Sequence, residues 1–298
     1  MRVSILVTPS PSAQPAFKAH RARRRYSQNF LHDPGTIARI VDAIDPRSAD
    51  RIVEVGPGAG ALTGPLLARC EHLTAVEIDR DLVQMLGRRF EAARLNLICA
   101  DALKIDWADL ARQAGGRLRI VGNLPYHIST PLLFAWLPIA GQVLDQHLML
   151  QKEVVDRIVA RPGGRDYGRL SVMLQFRYHV ERLFNVAAGA FVPAPKVQSS
   201  VIRLVPRALD QLALGDVRAF SRVVSAGFGQ RRKMLRNSLA PLLDEAALGR
   251  AEVDPGARAE TLDVAAFARL ALQLIEVPHL RDDQGEMISS PLPLAGEG

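Results

Sequence analysis

Asn123-Leu124-Pro125-Tyr126 sets a side-chain carbonyl, a main-chain carbonyl and an aromatic ring close together in the chain. Such a set suits a planar amine. The lone pair of an exocyclic amino nitrogen on a base is delocalised into the ring, which makes the nitrogen a poor nucleophile. Two acceptors, the Asn123 amide oxygen and the Pro125 carbonyl, could hold the two amino hydrogens and aim the nitrogen for in-line attack, while Tyr126 stacks on the ring. The structural alternative is a rigid proline turn packed by Tyr126. It explains neither Asn123 nor the position of the motif at the end of a strand-like run.

Other polar groups recur at similar intervals. Val53-Glu54-Val55-Gly56-Pro57-Gly58-Ala59-Gly60 reads as a buried strand that breaks into a glycine turn and then enters a helix. Gly56 and Gly58 let backbone N–H groups approach a ligand at the positive end of a helix dipole. Glu77 ends a second strand-like run and lies 21 positions after Gly56, where a Rossmann-like fold places a ribose-binding carboxylate. Asp101 follows a third run, 24 positions on, and Asn123 ends a fourth, another 22 on. In a parallel sheet with helical crossovers these ends share one edge, outside which ligands bind. Glu77 and Asp101 could instead only cap the helices that follow them.

The elements that would position these groups form an alternating pattern. Strands are expected at Ile52–Val55, Leu73–Val76, Leu95–Cys99, Leu118–Val121, His147–Leu150, Tyr178–Val186 and Ser200–Leu204, which together read as a doubly wound α/β sheet. Asp33 and Pro34 are an N-cap and first residue for an amphipathic helix carrying Ile37, Ile40, Val41 and Ile44. A further helix is expected from Glu153 to Ala160, ended by Pro162-Gly163-Gly164. The prolines of Phe191-Val192-Pro193-Ala194-Pro195 stiffen an extended loop, in which Phe191 is either a core anchor or an exposed stacking platform. After Pro206 the stripes Val217, Phe220, Val223, Val224, Phe228 and Val264, Phe267, Leu270, Ala271, Leu274 predict a small helical domain.

At 298 residues and 48% hydrophobic composition, the chain can bury a large core and carry a smaller second domain. No apolar run reaches a membrane span of roughly 20 residues, so a cytoplasmic location away from membranes is expected. Cys70 and Cys99 lack metal-site spacing and sit among apolar residues, which argues against a zinc site or disulfide. The net charge of +7 is uneven: residues 1–40 carry +6, 41–150 carry −2, 151–236 carry +10 and 237–298 carry −7. Basic segments flanking a near-neutral domain suit a polyanion, and Arg231-Arg232-Lys233-Met234-Leu235-Arg236 suits phosphate contact. Solubilising surface charge is the rival reading, and phosphate contact is the better one beside the other basic segments. Residues 1–19 and 281–298 read as disordered tails.

Taken together, the motifs resemble the ribosomal RNA adenine dimethyltransferases. The resemblance runs from about His20 to Leu274. It is carried by Gln28-Asn29-Phe30-Leu31, Glu54 to Thr63, Glu77-Ile78-Asp79, Asp101-Ala102-Leu103, Asn123-Leu124-Pro125-Tyr126, Met149 to Val154, Phe191 to Val197 and Arg231 to Asn237. Ser27 stands where many members of that family have glycine. The resemblance implies S-adenosylmethionine as cofactor and dimethylation of two adjacent adenosines near the 3′ end of 16S rRNA, in a small ribosomal subunit precursor, by a monomer. It assigns Asn29 and Leu31 to the methionine portion of the cofactor, Gly56 and Gly58 to the turn beneath it, Glu77 to the ribose and Asp101 to the adenine amino group. Asn123 would border the methyl donor, and the target adenine would lie between Tyr126 and Phe191, with Pro125 contributing its carbonyl. It also divides the chain into a methyltransferase domain with its basic arm at 20–206 and a helical RNA-binding domain at 207–280. Erythromycin-resistance methyltransferases acting on large-subunit RNA, a non-catalytic RNA-binding assembly factor and a nicotinamide dehydrogenase are the rival readings.

Overall fold

A computed structural model describes residues 29–208, 217–230 and 232–276. The basic run 21–25, Ser27, Gln28, Arg231 and both predicted tails lie outside the described residues. The first elements among the described residues are β1 (Phe30–Leu31) and α1 (Pro34–Ile44). Asp33 caps α1 as its sequence predicts: its carboxylate accepts from Thr36 N at 2.7 Å, and Pro34 occupies a first-turn position that needs no donor. Ile40, Val41 and Ile44 are buried on one face.

The sheet follows as β2 (Arg51–Val55), β3 (Leu73–Glu77), β4 (Leu95–Cys99), β5 (Leu118–Asn123) and β6 (Val143–Gln151). Helices α2 (Thr63–Leu67), α3 (Arg80–Arg89), α4 (Trp107–Gln113) and α5 (Tyr126–Ala135) make the crossovers. After α6 (Lys152–Ile158) and α7 (Arg169–Arg177) come β7 (Tyr178–Val186), β8 (Phe191–Val192) and β9 (Ser199–Pro206). The seven-stranded order is β4-β3-β2-β5-β6-β9-β7. Pairings from β4 through β6 are parallel, and β9 runs antiparallel to both β6 and β7. The chain leaves β2 in one direction and returns at β5 on its other side, so the order reverses between those two strands. Ligands of open α/β sheets bind outside such a switch point.

One apolar core joins Val53, Ile120 and Leu148 of the sheet to the α4–α7 side; the other joins Ile52, Leu73 and Val121 to the α1–α3 side. Burial on both faces explains the near-continuous apolar strands. The helices α8 (Val217–Gly229), α9 (Leu235–Ser238), α10 (Glu245–Arg250) and α11 (Val264–Glu276) extend the first core. Phe220 of α8 stacks on Phe176 of α7 at 3.8 Å between centroids. Such a ring pair adds about 0.5–1.5 kcal/mol beyond its area burial.

Several expectations need correction. The helix predicted at Glu153–Ala160 is Lys152–Ile158, because Gln151 at the end of β6 is already its N-cap position. β6 begins four residues before its predicted start; Asp145 and Gln146 are buried polar residues that mask the strand pattern. Cys99 is exposed and not enclosed as its apolar sequence neighbours suggested, since it ends β4, one of the two edge strands of the sheet. β1 and β8 form a separate antiparallel pair, Leu31 opposite Phe191, which no local pattern announces.

Candidate active site at the sheet switch point

The glycine turn leaves β2 at Gly56, whose N–H still bonds the Val76 carbonyl of β3 at 2.9 Å. Gly56 and Gly58 have φ of +70° and +57°, a region that side chains make costly. A Cβ on Gly58 would stand 3.2 Å from the Phe30 ring, so β1 closes directly over the turn. On the other side of the switch point, a Cβ on Gly122 would fall 2.4 Å from the Val55 carbonyl oxygen. Only glycine lets β5 deliver Asn123 this close to the end of β2.

These approaches form one cleft. Asn29, Leu31, Gly56, Gly58, Glu77, Asp101, Asn123, Pro125 and Tyr126, all singled out from the sequence, line it, together with Glu54, Ala61, Ile78 and His127. Phe191 does not. It is 2% exposed, packed in the second core opposite Leu31, and presents no free face to a base. Of the two readings of Phe191, core anchor and stacking platform, the structure shows the anchor; the sandwich on Tyr126 is corrected accordingly.

Asn123 Nδ2 donates to the Asn29 carbonyl at 3.2 Å. That bond uses the donor end of the amide and leaves its oxygen as the acceptor available to a ligand. The Pro125 carbonyl accepts from Ile128 N at 3.1 Å in the first turn of α5, which leaves it one further lone pair. Tyr126 is half-buried, and its hydroxyl shares a hydrogen bond of 3.0 Å with Ser199 Oγ. The ring is therefore pinned to β9.

Glu77 is 6% exposed and accepts from Gly58 N at 3.2 Å and Asp79 N at 3.0 Å. It ties the glycine turn to the end of β3. Burial holds its carboxyl above the usual range, against the two backbone bonds that pull it down. Asp79, and not Glu77, caps α3; Asp101 does cap the short turn Ala102–Lys104, accepting from Leu103 N at 3.0 Å. Each carboxylate keeps lone pairs for a ligand beyond these bonds.

Sequence reasoning missed Glu54 and His127. Glu54 is 1% exposed in β2, accepts from Thr63 Oγ1 at 2.7 Å and lines the cleft. Burial pushes its carboxyl up to about 7, with the nearby Glu77 charge adding to the rise and the Thr63 bond opposing it. One acidic residue inside the apolar run Ile52-Val53-Glu54-Val55 was the available signal, since a buried carboxylate is costly without a task.

The set of groups fits S-adenosylmethionine. Three acidic side chains offer acceptors to an ammonium, to hydroxyls and to an amino group, while Leu31, Ala61 and Ile78 supply apolar wall. An open, mostly parallel sheet with a glycine turn and the Asn123-Leu124-Pro125-Tyr126 turn at its switch point has the form of a Rossmann-like methyltransferase. The chain belongs to the ribosomal RNA adenine dimethylase family, whose model matches residues 19–276. It is 54% identical to the ribosomal RNA small subunit methyltransferase A of Aromatoleum aromaticum, over 84% of this chain and 93% of that protein. It is 52% identical to the Pseudomonas aeruginosa protein of the same name, over 87% and 97% respectively. Among solved structures, a dimethyladenosine transferase from Plasmodium falciparum shares the fold, with TM-score 0.68 at 24% identity over 82% of this chain and 96% of that one. The 23S rRNA methyltransferase ErmE matches with TM-score 0.63 at 29% identity, over 83% and 100%.

Proposed function

We propose that this protein transfers methyl groups from S-adenosylmethionine to the 6-amino groups of two adjacent adenosines near the 3′ end of 16S rRNA, in a small ribosomal subunit precursor in the cytoplasm, acting as a monomer. The observation that carries the reading is the placement of Asn123: its amide nitrogen is held by Asn29 while its main-chain oxygen lies 3.7 Å from where a Gly56 side chain would begin. An amine bound to the Asn123 side chain thus sits beside the cofactor turn.

The bound cofactor supplies an electrophilic methyl group on a sulfonium. Around it, Asn29 and Leu31 take the methionine portion, Gly56 and Gly58 allow close approach of the backbone, Glu77 takes the ribose hydroxyls and Asp101 the adenine amino group. On the substrate side, Asn123 Oδ1 and the Pro125 carbonyl accept the two amino hydrogens, so that the nitrogen lone pair turns toward the cleft. Tyr126 supports the flipped base, whose unstacking costs on the order of a few kcal/mol. No strong base is needed to start the reaction, because orientation supplies the advantage.

The exposed residues Arg232, Lys233 and Arg236 in the helical region suit phosphate contacts. The relatives at 52–54% identity are named for the small subunit and the 29% match for 23S rRNA, which favours the small-subunit reading over the large-subunit one. Incubating the protein with tritiated cofactor and unmethylated small subunits, with large subunits as a parallel sample, tests it. Label confined to two adjacent adenosines of 16S rRNA is the expected result; label in 23S rRNA, or none, overturns it.

A further inference from the structure

Each methyl transfer to an amine releases a proton, and dimethylation releases two. The nitrogen lone pair forms the N–C bond as the sulfonium C–S bond breaks. Sulfur keeps that pair as a thioether and the nitrogen becomes positively charged. An N–H bond must then give its pair back to nitrogen, and its proton must go elsewhere, before the same nitrogen can attack again. The Asn123 and Pro125 carbonyls can hold these hydrogens but are too weakly basic to keep a proton.

Five residues lining the cleft carry ionisable side chains: Glu54, Glu77, Asp101, Tyr126 and His127. Glu54 is buried in β2 and bonded to Thr63, on the cofactor side of the glycine turn. Glu77 holds Gly58 N and Asp79 N, and Asp101 caps its own turn after β4, three strands from β5 in the sheet order. Tyr126 is a phenol whose hydroxyl is engaged with Ser199. His127 differs from all four. It stands in the first turn of α5, directly after Tyr126 and two residues from Pro125, is exposed to solvent, and makes no side-chain hydrogen bond among the described residues. An imidazole at the rim can take a proton from inside the cleft and hand it to water outside.

We propose that His127 is the proton acceptor of the reaction, taking the proton from the methylated nitrogen directly or through one water and so resetting the amine for the second transfer. This inference rests on the methyl-transfer reading of the same cleft. His127→Gln and His127→Ala should slow single-turnover methylation on the order of tenfold to a hundredfold, the second methyl more than the first, so that monomethyladenosine accumulates. The wild-type rate should fall toward acid pH with a one-proton limb that both variants lack. Added imidazole should restore the rate of His127→Ala but not of Asn123→Ala. S-adenosylmethionine affinity measured by calorimetry should be the same for wild type and both His127 variants.

The idea is overturned if the variants keep the acid limb and the wild-type ratio of mono- to dimethyladenosine, or if imidazole does not restore His127→Ala. A changed cofactor affinity that accounts for the whole rate loss overturns it as well. Wild type that methylates nothing would instead refute the methyl-transfer reading, which keeps the two failures apart.

Discussion

The two ends of the central sheet each bury carboxylates, and they treat them oppositely. At the amino-terminal edge of β5 and β6, Asp145 faces Arg119, whose Nε and Nη2 donate to the two carboxylate oxygens at 2.9 and 2.8 Å. Arg119 also donates to Asp50 at 2.6 Å and to the carbonyls of Ile44 and Asp45 at the end of α1, at 2.6 and 3.2 Å. Burial alone would lower the Arg119 guanidinium, but its carboxylate partners outweigh it and raise it. His147 beside them is pushed down to about 4 by burial and so stays neutral. At the other edge, Glu54 is buried just as deeply with one hydroxyl as partner, and burial lifts it to about 7. The first end satisfies its charges internally and fastens α1 to the sheet. The second leaves acceptor capacity open at the cleft, as a ligand site requires.

Breaking the closed end should have the largest effect. Arg119→Met leaves Asp145 buried without its counter-charge and strips the last carbonyls of α1, and should cost about 3–5 kcal/mol in urea unfolding. Cofactor affinity of the molecules that remain folded should change little. Equal stability of variant and wild type would mean that this edge is no more structural than the other.

At the open end the order of effects reverses. Asn123→Ala should lower single-turnover methylation at saturating cofactor and RNA by roughly a hundredfold to a thousandfold, or about 2.7–4 kcal/mol, if the loss matches that of a preorganised oxyanion donor. Its unfolding midpoint should move far less than that of Arg119→Met. A folded variant that methylates at nearly the wild-type rate would make the motif structural. Glu77→Gln keeps the shape of the side chain that holds Gly58 and removes its charge, and should weaken S-adenosylmethionine binding by roughly 1.5–3 kcal/mol. An unchanged calorimetric dissociation constant would remove Glu77 from the ribose site.

The smallest effect sharpens the contrast between the two buried carboxylates. Because the folded-state value of Glu54 is raised, the folded protein holds that proton more tightly than the unfolded chain. Its contribution favours folding fully below the unfolded value and is lost as pH rises through about 7. The stability difference between wild type and Glu54→Gln should therefore shift by roughly 1.4 kcal/mol against wild type between about pH 6 and pH 8. A difference that is flat with pH would place Glu54 in a better-solvated or better-paired setting than the structure shows.

Much of this was legible in the chain. Local rules suffice for a cap such as Asp33, for a glycine turn with positive φ, and for strands buried on both faces, because each depends on residues a few positions apart. Even spacing from Gly56 to Glu77, Asp101 and Asn123 was enough to put those groups on one sheet edge, since parallel strands repeat at the length of a crossover. Other outcomes were invisible locally. Leu31 meets Phe191 across 160 positions, and that pairing, not the character of the loop, decides that Phe191 is an anchor. Gly122 looks like any strand residue until the Val55 carbonyl arrives beside it. The partners of Glu54 and Asp145 come from residues 9 and 26 positions away, so the protonation of each is set by what folding brings within about 3 Å and by how much water it removes. Sequence determined which groups stand at the strand ends. Only the packed structure decided which of them are paired off and which are left for a ligand, because desolvation and hydrogen-bond partners are properties of neighbours in space.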